Sequence, residues 1–125
     1  MVTGMGIDMI ETKRVAAKIA KESGFREKVF SPGEIRYCEA KTNKAEHYAA
    51  RFAAKEAFFK ALGTGWKNGT AFNEVEVTND ESGKPEIVFL GETLKTIHEM
   101  AIGKISVSLS HLKDIAAAVV VIEKT

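Results

Sequence analysis

The hydrophobic pattern changes period between the two halves of the chain. After the first strand and up to Leu62, apolar residues mostly recur at three- and four-residue spacings; from Glu74 onward, alternating stretches such as Glu74 to Thr78 and Ile105 to Ser110 appear. The opening MVTGMGIDMI reads as a strand in which Gly4 and Gly6 alternate, leaving room for backbone or ligand to come close. A helix is predicted from about Thr12 to Ser23, with Gly24 as its stop. Ser31-Pro32-Gly33-Glu34 is a strong helix start, because Ser31 can cap, Pro32 suits the first turn and Glu34 completes a capping box. That helix is predicted to reach about Lys41. Asn43 and Glu46 resemble a second box, opening a long helix that runs to Leu62 and stops at Gly63. In the second half, Glu74 to Thr78 and Glu86 to Leu90 flank the turn NDESGKP and read as a hairpin. A short helix, Glu92 to Met100, precedes two further strands, Ile105 to Ser110 and Ile115 to Glu123. The last is so uniformly apolar that it reads as buried on both faces. The order β-α-α-α-β-β-α-β-β predicts an α+β fold: a single domain with a mostly antiparallel sheet packed against helices.

Composition narrows the function classes. A chain of 125 residues with 45% apolar and 28% charged residues suits one soluble core. The formal net charge is +1, so a charged partner must be met by local clusters, and a nucleic-acid-binding domain of this size would more often be strongly basic. Trp66 and the tyrosines form no stacking platform with basic neighbours, which also argues against RNA. The first dozen residues carry Asp8 and Glu11 and do not read as a secretory signal. The longest apolar run, Ile115 to Ile122, is far short of the ~20 residues of a membrane helix. Cys38 is alone, as befits a reducing compartment. A cytoplasmic protein without membrane or nucleic-acid partners is expected.

The stretch RFAAKEAFFKALGTG, Arg51 to Gly65, interleaves charges with phenylalanines. At about 100° per residue, Ala54, Ala57, Phe58, Ala61 and Leu62 share one sector and form the expected core face. Glu56 and Lys60 lie on another side, with Phe52 above them and Phe59 at the margin. By pattern alone Glu56 and Lys60 read first as a surface i,i+4 ion pair worth roughly 0.2–0.5 kcal/mol. Asp8 sits in an apolar strand, where a buried unpaired carboxylate costs several kcal/mol. It is either exposed or a ligand for a cation. Hard dications such as Mg²⁺ are held by one or two carboxylates plus substrate phosphates. If Asp8 and Glu56 met at about 4 Å they would repel by ~4 kcal/mol at an effective dielectric near 20, and a bound dication would reverse the sign. Arg14, Lys18 and Lys21 make a basic stripe on the first helix, either a solvated face or a dock for an acidic helix or a phosphate backbone. Ser108, Ser110, His111 and Asp114 suggest a hydrolase, but no nucleophile elbow is present and strand alternation explains both serines. His47, His98 and His111 lack zinc spacing.

Taken together, GIDMIE, RFAAKEAFFKALGTG, NGTAFNEVEV, SGKPEI and SLSH occur in an order and spacing that resemble the short, bacterial-type 4′-phosphopantetheinyl transferases, the holo-acyl carrier protein synthases. The resemblance covers nearly the whole chain. It implies transfer of the phosphopantetheine arm of coenzyme A to a serine of apo-acyl carrier protein, with release of adenosine 3′,5′-bisphosphate, in fatty acid biosynthesis. It implies a Mg²⁺ requirement, with Asp8 and Glu56 as metal ligands and Lys60 on the pyrophosphate. Asp8, Glu56 and Lys60 are thus the implied catalytic set. Gly63 falls in the coenzyme A-binding turn, and Arg51 and His111 match positions near the adenosine end and its 3′-phosphate. Arg14 matches a carrier-protein contact, Lys18 and Lys21 extend its stripe, and Phe52 lies in the docking region. Short members of the family are homotrimers with active sites at subunit interfaces. Leu112, Ile115 and Thr12 depart from the family pattern, which touches secondary coenzyme A contacts and not the metal pair. The base for the serine proton is a water oriented by the carboxylates, Glu56 itself, or His111. The competing readings are a non-catalytic binding module and a degenerate subunit that only scaffolds an assembly.

Overall fold

The computed structural model describes residues 1–63 and 68–124. Its elements are β1 (Val2–Glu11), α1 (Thr12–Ala20), α2 (Phe25–Val29), α3 (Pro32–Glu39), α4 (Lys44–Leu62), β2 (Val75–Asn79), β3 (Pro85–Phe89), α5 (Gly91–Glu99), β4 (Ile102–His111) and β5 (Ile115–Lys124), with a short 3₁₀ turn, Phe72–Glu74, before β2. One antiparallel sheet has the order β1-β5-β4, and β2 and β3 form a separate hairpin. Ala118 of β5 is level with Asp8 of β1 and with Leu109 of β4. The long helix α4 packs across one face of this sheet, mainly on β1 and β5.

The apolar run of β5 is not buried on both faces. Ala116, Ala118, Val120 and Ile122 are buried under α4, whereas Ala117, Val119 and Val121 on the outward face are only half-buried. The same outward face carries Met5, Ile7 and Met9 of β1, which are 68%, 61% and 64% exposed. Helix α4 covers one face of the run and leaves the other partly open to solvent.

Local signals in the first half are met unevenly. The capping box of α3 forms as predicted: Ser31 Oγ accepts from the Glu34 N–H at 3.1 Å, and Glu34 Oε1 accepts from the Ser31 N–H at 2.9 Å. Helix α1 ends at Ala20, short of Ser23, because Glu22 adopts φ 51°. Gly24, at φ 92°, does not close α1 but opens α2, a short helix absent from the hydrophobic pattern. The box expected at the head of α4 does not form, since Asn43 makes no side-chain cap.

Two apolar clusters flank α4. Phe58 and Phe59 join Val75, Val77, Val120 and Ile122 in one. Phe30, Tyr48, Val15, Cys38 and Phe52 make the other. Burial pushes the Cys38 thiol up to about 12. Phe52, read from sequence as part of a docking region, is 8% exposed and packs its ring 5.9 Å from Phe25 and 6.4 Å from Phe72. It is a core residue. Thr12 is buried, with its Oγ1 unpartnered among the described residues.

The two clusters meet at an ion pair. Lys55 Nζ lies 2.7 Å from Glu34 Oε1, and both side chains are fully buried. Lys55 Nζ also donates to the carbonyls of Phe72 and Val75, while Glu34 Oε2 accepts from the Val77 N–H at 2.8 Å. Burial pulls the Lys55 pKa down. Its three acceptors nevertheless require three N–H donors, which only the ammonium form has. Removing one partner from such a pair leaves a buried charge uncompensated. Lys55→Met is therefore expected to destabilise the fold by about 3–5 kcal/mol in urea titration, and a loss under about 1 kcal/mol would show that the pair is not structural.

Candidate active site

Two glycines set the geometry. A Cβ at Gly6 would stand 1.9 Å from the Ala57 carbonyl oxygen, and one at Gly4 would stand 2.1 Å from that of Ala61. Only glycine lets the backbone of β1 touch the backbone of α4. Side chains alternate along a strand, so Asp8 follows Gly4 and Gly6 on the same face and emerges beside α4. There it meets Lys60, whose Nζ is 2.9 Å from Asp8 Oδ1 and 3.1 Å from the Ile7 carbonyl oxygen. The Asp8 side chain is 14% exposed and that of Lys60 is 55% exposed, so the cluster opens to solvent on the lysine side.

Lys60 thus pairs with Asp8 across the fold, in place of the i,i+4 pair with Glu56. Glu56 is half-buried and has no hydrogen bond or ion pair among the described residues. Burial raises its pKa above the usual carboxylate range, and the charge of Asp8 raises it further; Lys60 and Lys18 act in the opposite sense. A partly dry, unpartnered carboxylate beside a second carboxylate is a donor set suited to a divalent cation, with the remaining positions filled by water or phosphate oxygens. Among the described residues no cluster of three or more metal-ligating side chains occurs.

A second group of predicted residues lies elsewhere. Arg51 is 3% exposed, its guanidinium carbon sits 4.0 Å from the Tyr37 ring centre, and its Nε has no partner. Among the described residues its one hydrogen bond to a side chain is a long one to Asn79 Oδ1, 3.4 Å. His111 closes the same cleft of about 230 Å³, together with Tyr37, His47, Asn79 and Leu109. A buried guanidinium that meets no carboxylate among the described residues is a ready anion site. Tyr37, His47 and Asn79 carried no functional signal in the sequence; only the fold gathers them. Arg51 and Lys60 are nine residues apart on α4, which at about 100° per residue places them half a turn apart, on opposite flanks. Asp8 and His111 likewise occupy the two outer strands of the sheet, with β5 between them.

Gly63 ends α4 at φ 79°, a left-handed backbone that favours glycine, and its N–H donates to the Lys60 carbonyl at 3.0 Å. Thr64 and Gly65 of the expected coenzyme A turn lie outside the described residues. Arg14, Lys18 and Lys21 are all exposed, and Lys18 Nζ lies 5.5 Å from the Phe25 ring centre and 6.0 Å from that of Phe52. Phe52 therefore supports the stripe from beneath.

Residues 4–120 match the 4′-phosphopantetheinyl transferase superfamily, and the chain belongs to that family. It is 47% identical over 126 residues to a holo-[acyl-carrier-protein] synthase of Cytophaga hutchinsonii, covering 99% of each chain. The structure resembles the holo-[acyl-carrier-protein] synthase of Neisseria meningitidis with a TM-score of 0.91 at 34% identity, covering 99% of this chain and 100% of that one. It resembles the Bacillus anthracis enzyme in complex with CoA (3′,5′-ADP) with a TM-score of 0.81 at 34% identity, covering 100% of this chain and 99% of that one.

The electrostatics of Glu56 carry a stability consequence. Its folded pKa is raised, so the ionised form opposes folding at pH values above it, and the opposition fades as Glu56 protonates on acidification. Glu56→Gln is expected to raise Tm at neutral pH, with the gain shrinking toward acid. A lower Tm for this variant at pH 7 would contradict the unfavourable burial of the Glu56 charge.

Proposed function

We propose that this protein is a cytoplasmic holo-acyl carrier protein synthase. It moves the 4′-phosphopantetheine arm of coenzyme A to a serine of apo-acyl carrier protein, releases adenosine 3′,5′-bisphosphate, and so serves fatty acid biosynthesis. The observation that carries the reading is the Asp8–Glu56–Lys60 cluster, built around a close contact of β1 with α4 in a chain of this family. Asp8 and Glu56 would hold Mg²⁺, which would supply Lewis-acid chemistry to the phosphate being transferred. Lys60 has three N–H donors; two meet Ile7 and Asp8, and the third is left for a phosphate oxygen at the solvent side. One preorganised donor of this kind is worth about 3–4 kcal/mol in a transition state. The carboxylates orient the water that takes the serine proton. Arg14, Lys18 and Lys21 offer an acidic carrier protein a complementary stripe, making docking salt-sensitive.

The opposite placement of Arg51 and Lys60 supports an active site shared between chains. One ligand cannot easily grip both flanks of a single helix whose diameter with side chains is about 10–12 Å. The exposed apolar face of Met5, Ile7 and Met9 is the kind of surface that oligomers cover. The assembly is a homotrimer in which Asp8, Glu56 and Lys60 of one chain face Arg51, Gly63 and His111 drawn from the pair of chains at each interface.

The direct test is to incubate the protein with apo-carrier protein, coenzyme A and Mg²⁺ and weigh the carrier. Absence of an added phosphopantetheine mass would sink the reading, and Glu56→Ala is expected to abolish the addition while remaining folded. The assembly has its own test. Ile7→Asp is expected to shift sedimentation equilibrium from trimer to monomer and to remove activity. Mixing inactive Glu56→Ala and Arg51→Met chains is expected to restore about a quarter of the sites, since random assembly pairs intact halves in that share. No recovery on mixing would place both halves in one chain.

A further inference from the structure

We propose that Glu46 is a positioning residue that fixes the ring of His111 for the nucleotide end of coenzyme A. The inference rests on the function given above and adds a residue to it. Glu46 stands where helix-capping rules would turn its carboxylate back onto Asn43. Asn43 has no such partner, and Glu46 Oε1 instead lies 3.1 Å from Nδ1 of His111, 65 residues away in sequence. Both side chains are partly shielded, at 22% and 31% exposure. A local rule broken in favour of a distant contact marks a functional constraint more often than an accident.

The consequence follows from imidazole chemistry. An ionised carboxylate has no proton to give, so Nδ1 must carry the hydrogen that joins it to Glu46. Nε2 is then the ring nitrogen left to meet a ligand in the cleft that Arg51 shares. A half-turn of the ring about its bond to Cβ exchanges each nitrogen with a carbon, and such a ring offers the ligand a carbon in place of Nε2. Glu46 opposes that rotation from one side. The ring of His47 opposes it from another, 5.6 Å away and edge-on, with Tyr37 packed 5.6 Å behind His47. The contacts hold a binding group in register and do not touch the Asp8–Glu56–Lys60 cluster, so they act on affinity for coenzyme A and not on the chemical step.

The test combines a spectroscopic and a kinetic reading of the full chain. In ¹⁵N-histidine spectra of the ligand-free protein, His111 is expected to show the Nδ1–H form in wild type and in Glu46→Gln, whose side-chain oxygen still accepts. In Glu46→Ala it is expected to become a mixture of forms. Glu46→Ala is also expected to raise KM for coenzyme A about tenfold with kcat within about twofold, and to narrow the preference for coenzyme A over its 3′-dephospho form. An unchanged His111 tautomer in Glu46→Ala overturns the proposal, and so does a fall in kcat at constant KM. The tautomer is read without turnover, so it decides the matter even if the transferase reading fails.

Discussion

The ammonium of Lys55 is the point to which the rest of the molecule is tied. It is buried with Glu34 and reaches two carbonyls on the segment leading into β2. Glu34 in turn completes the cap of α3 and accepts from the β2 backbone. One pair thus joins three segments that local sequence preferences would leave independent. A buried pair is not a cheap source of stability, because desolvation offsets much of the attraction. What it supplies is direction: α4 cannot rotate or slide without stranding a charge away from water.

On its other side α4 is held by shape instead of charge. Gly4 and Gly6 let β1 lie against its backbone, and any Cβ there would collide with helix carbonyls. Between a charge that must not be exposed and a contact that must not widen, the rotation of α4 about its axis has little freedom. That rotation decides where Glu56 and Lys60 point, and therefore how close the carboxylates of Asp8 and Glu56 come. The burial that raises the Glu56 pKa, and the repulsion from Asp8 that adds to it, are sustained by the packing around it. The same rotation sends Arg51 to the opposite flank, beneath Tyr37.

Much of this frame is legible in the sequence, and what is not shares a cause. The Ser31–Glu34 box, the β2–β3 hairpin and the stop at Gly63 are written within a few residues of where they act. The alternation of Gly4, Gly6 and Asp8 foretells a close contact on one strand face. By contrast Lys55 and Glu34 are 21 positions apart, and nothing local joins them. Phe52 and Phe59 look marginal on a helical projection because the projection knows one core, while α4 is buried on two sides. Gly24 has the composition of a helix stop and serves as a helix start, since a left-handed residue can do either. Glu46 has the spacing of a cap and is claimed by a histidine from the far end of the chain. Local rules fail where a distant partner outbids them, and those places cluster at the candidate site and at the joint that supports it.

The placement of the candidate groups on two flanks of α4 has a genetic side. In an assembly whose sites each join one flank to the opposite flank of a neighbour, every chain takes part in two sites and completes neither alone. A defect confined to one flank then spoils a single site of a mixed assembly and leaves the others intact. A defect that loosens α4 itself damages both flanks, and its harm spreads to two neighbours at once. Lesions at Lys55 or Gly6 would therefore behave as more dominant than lesions at Glu56, although they lie farther from the chemistry.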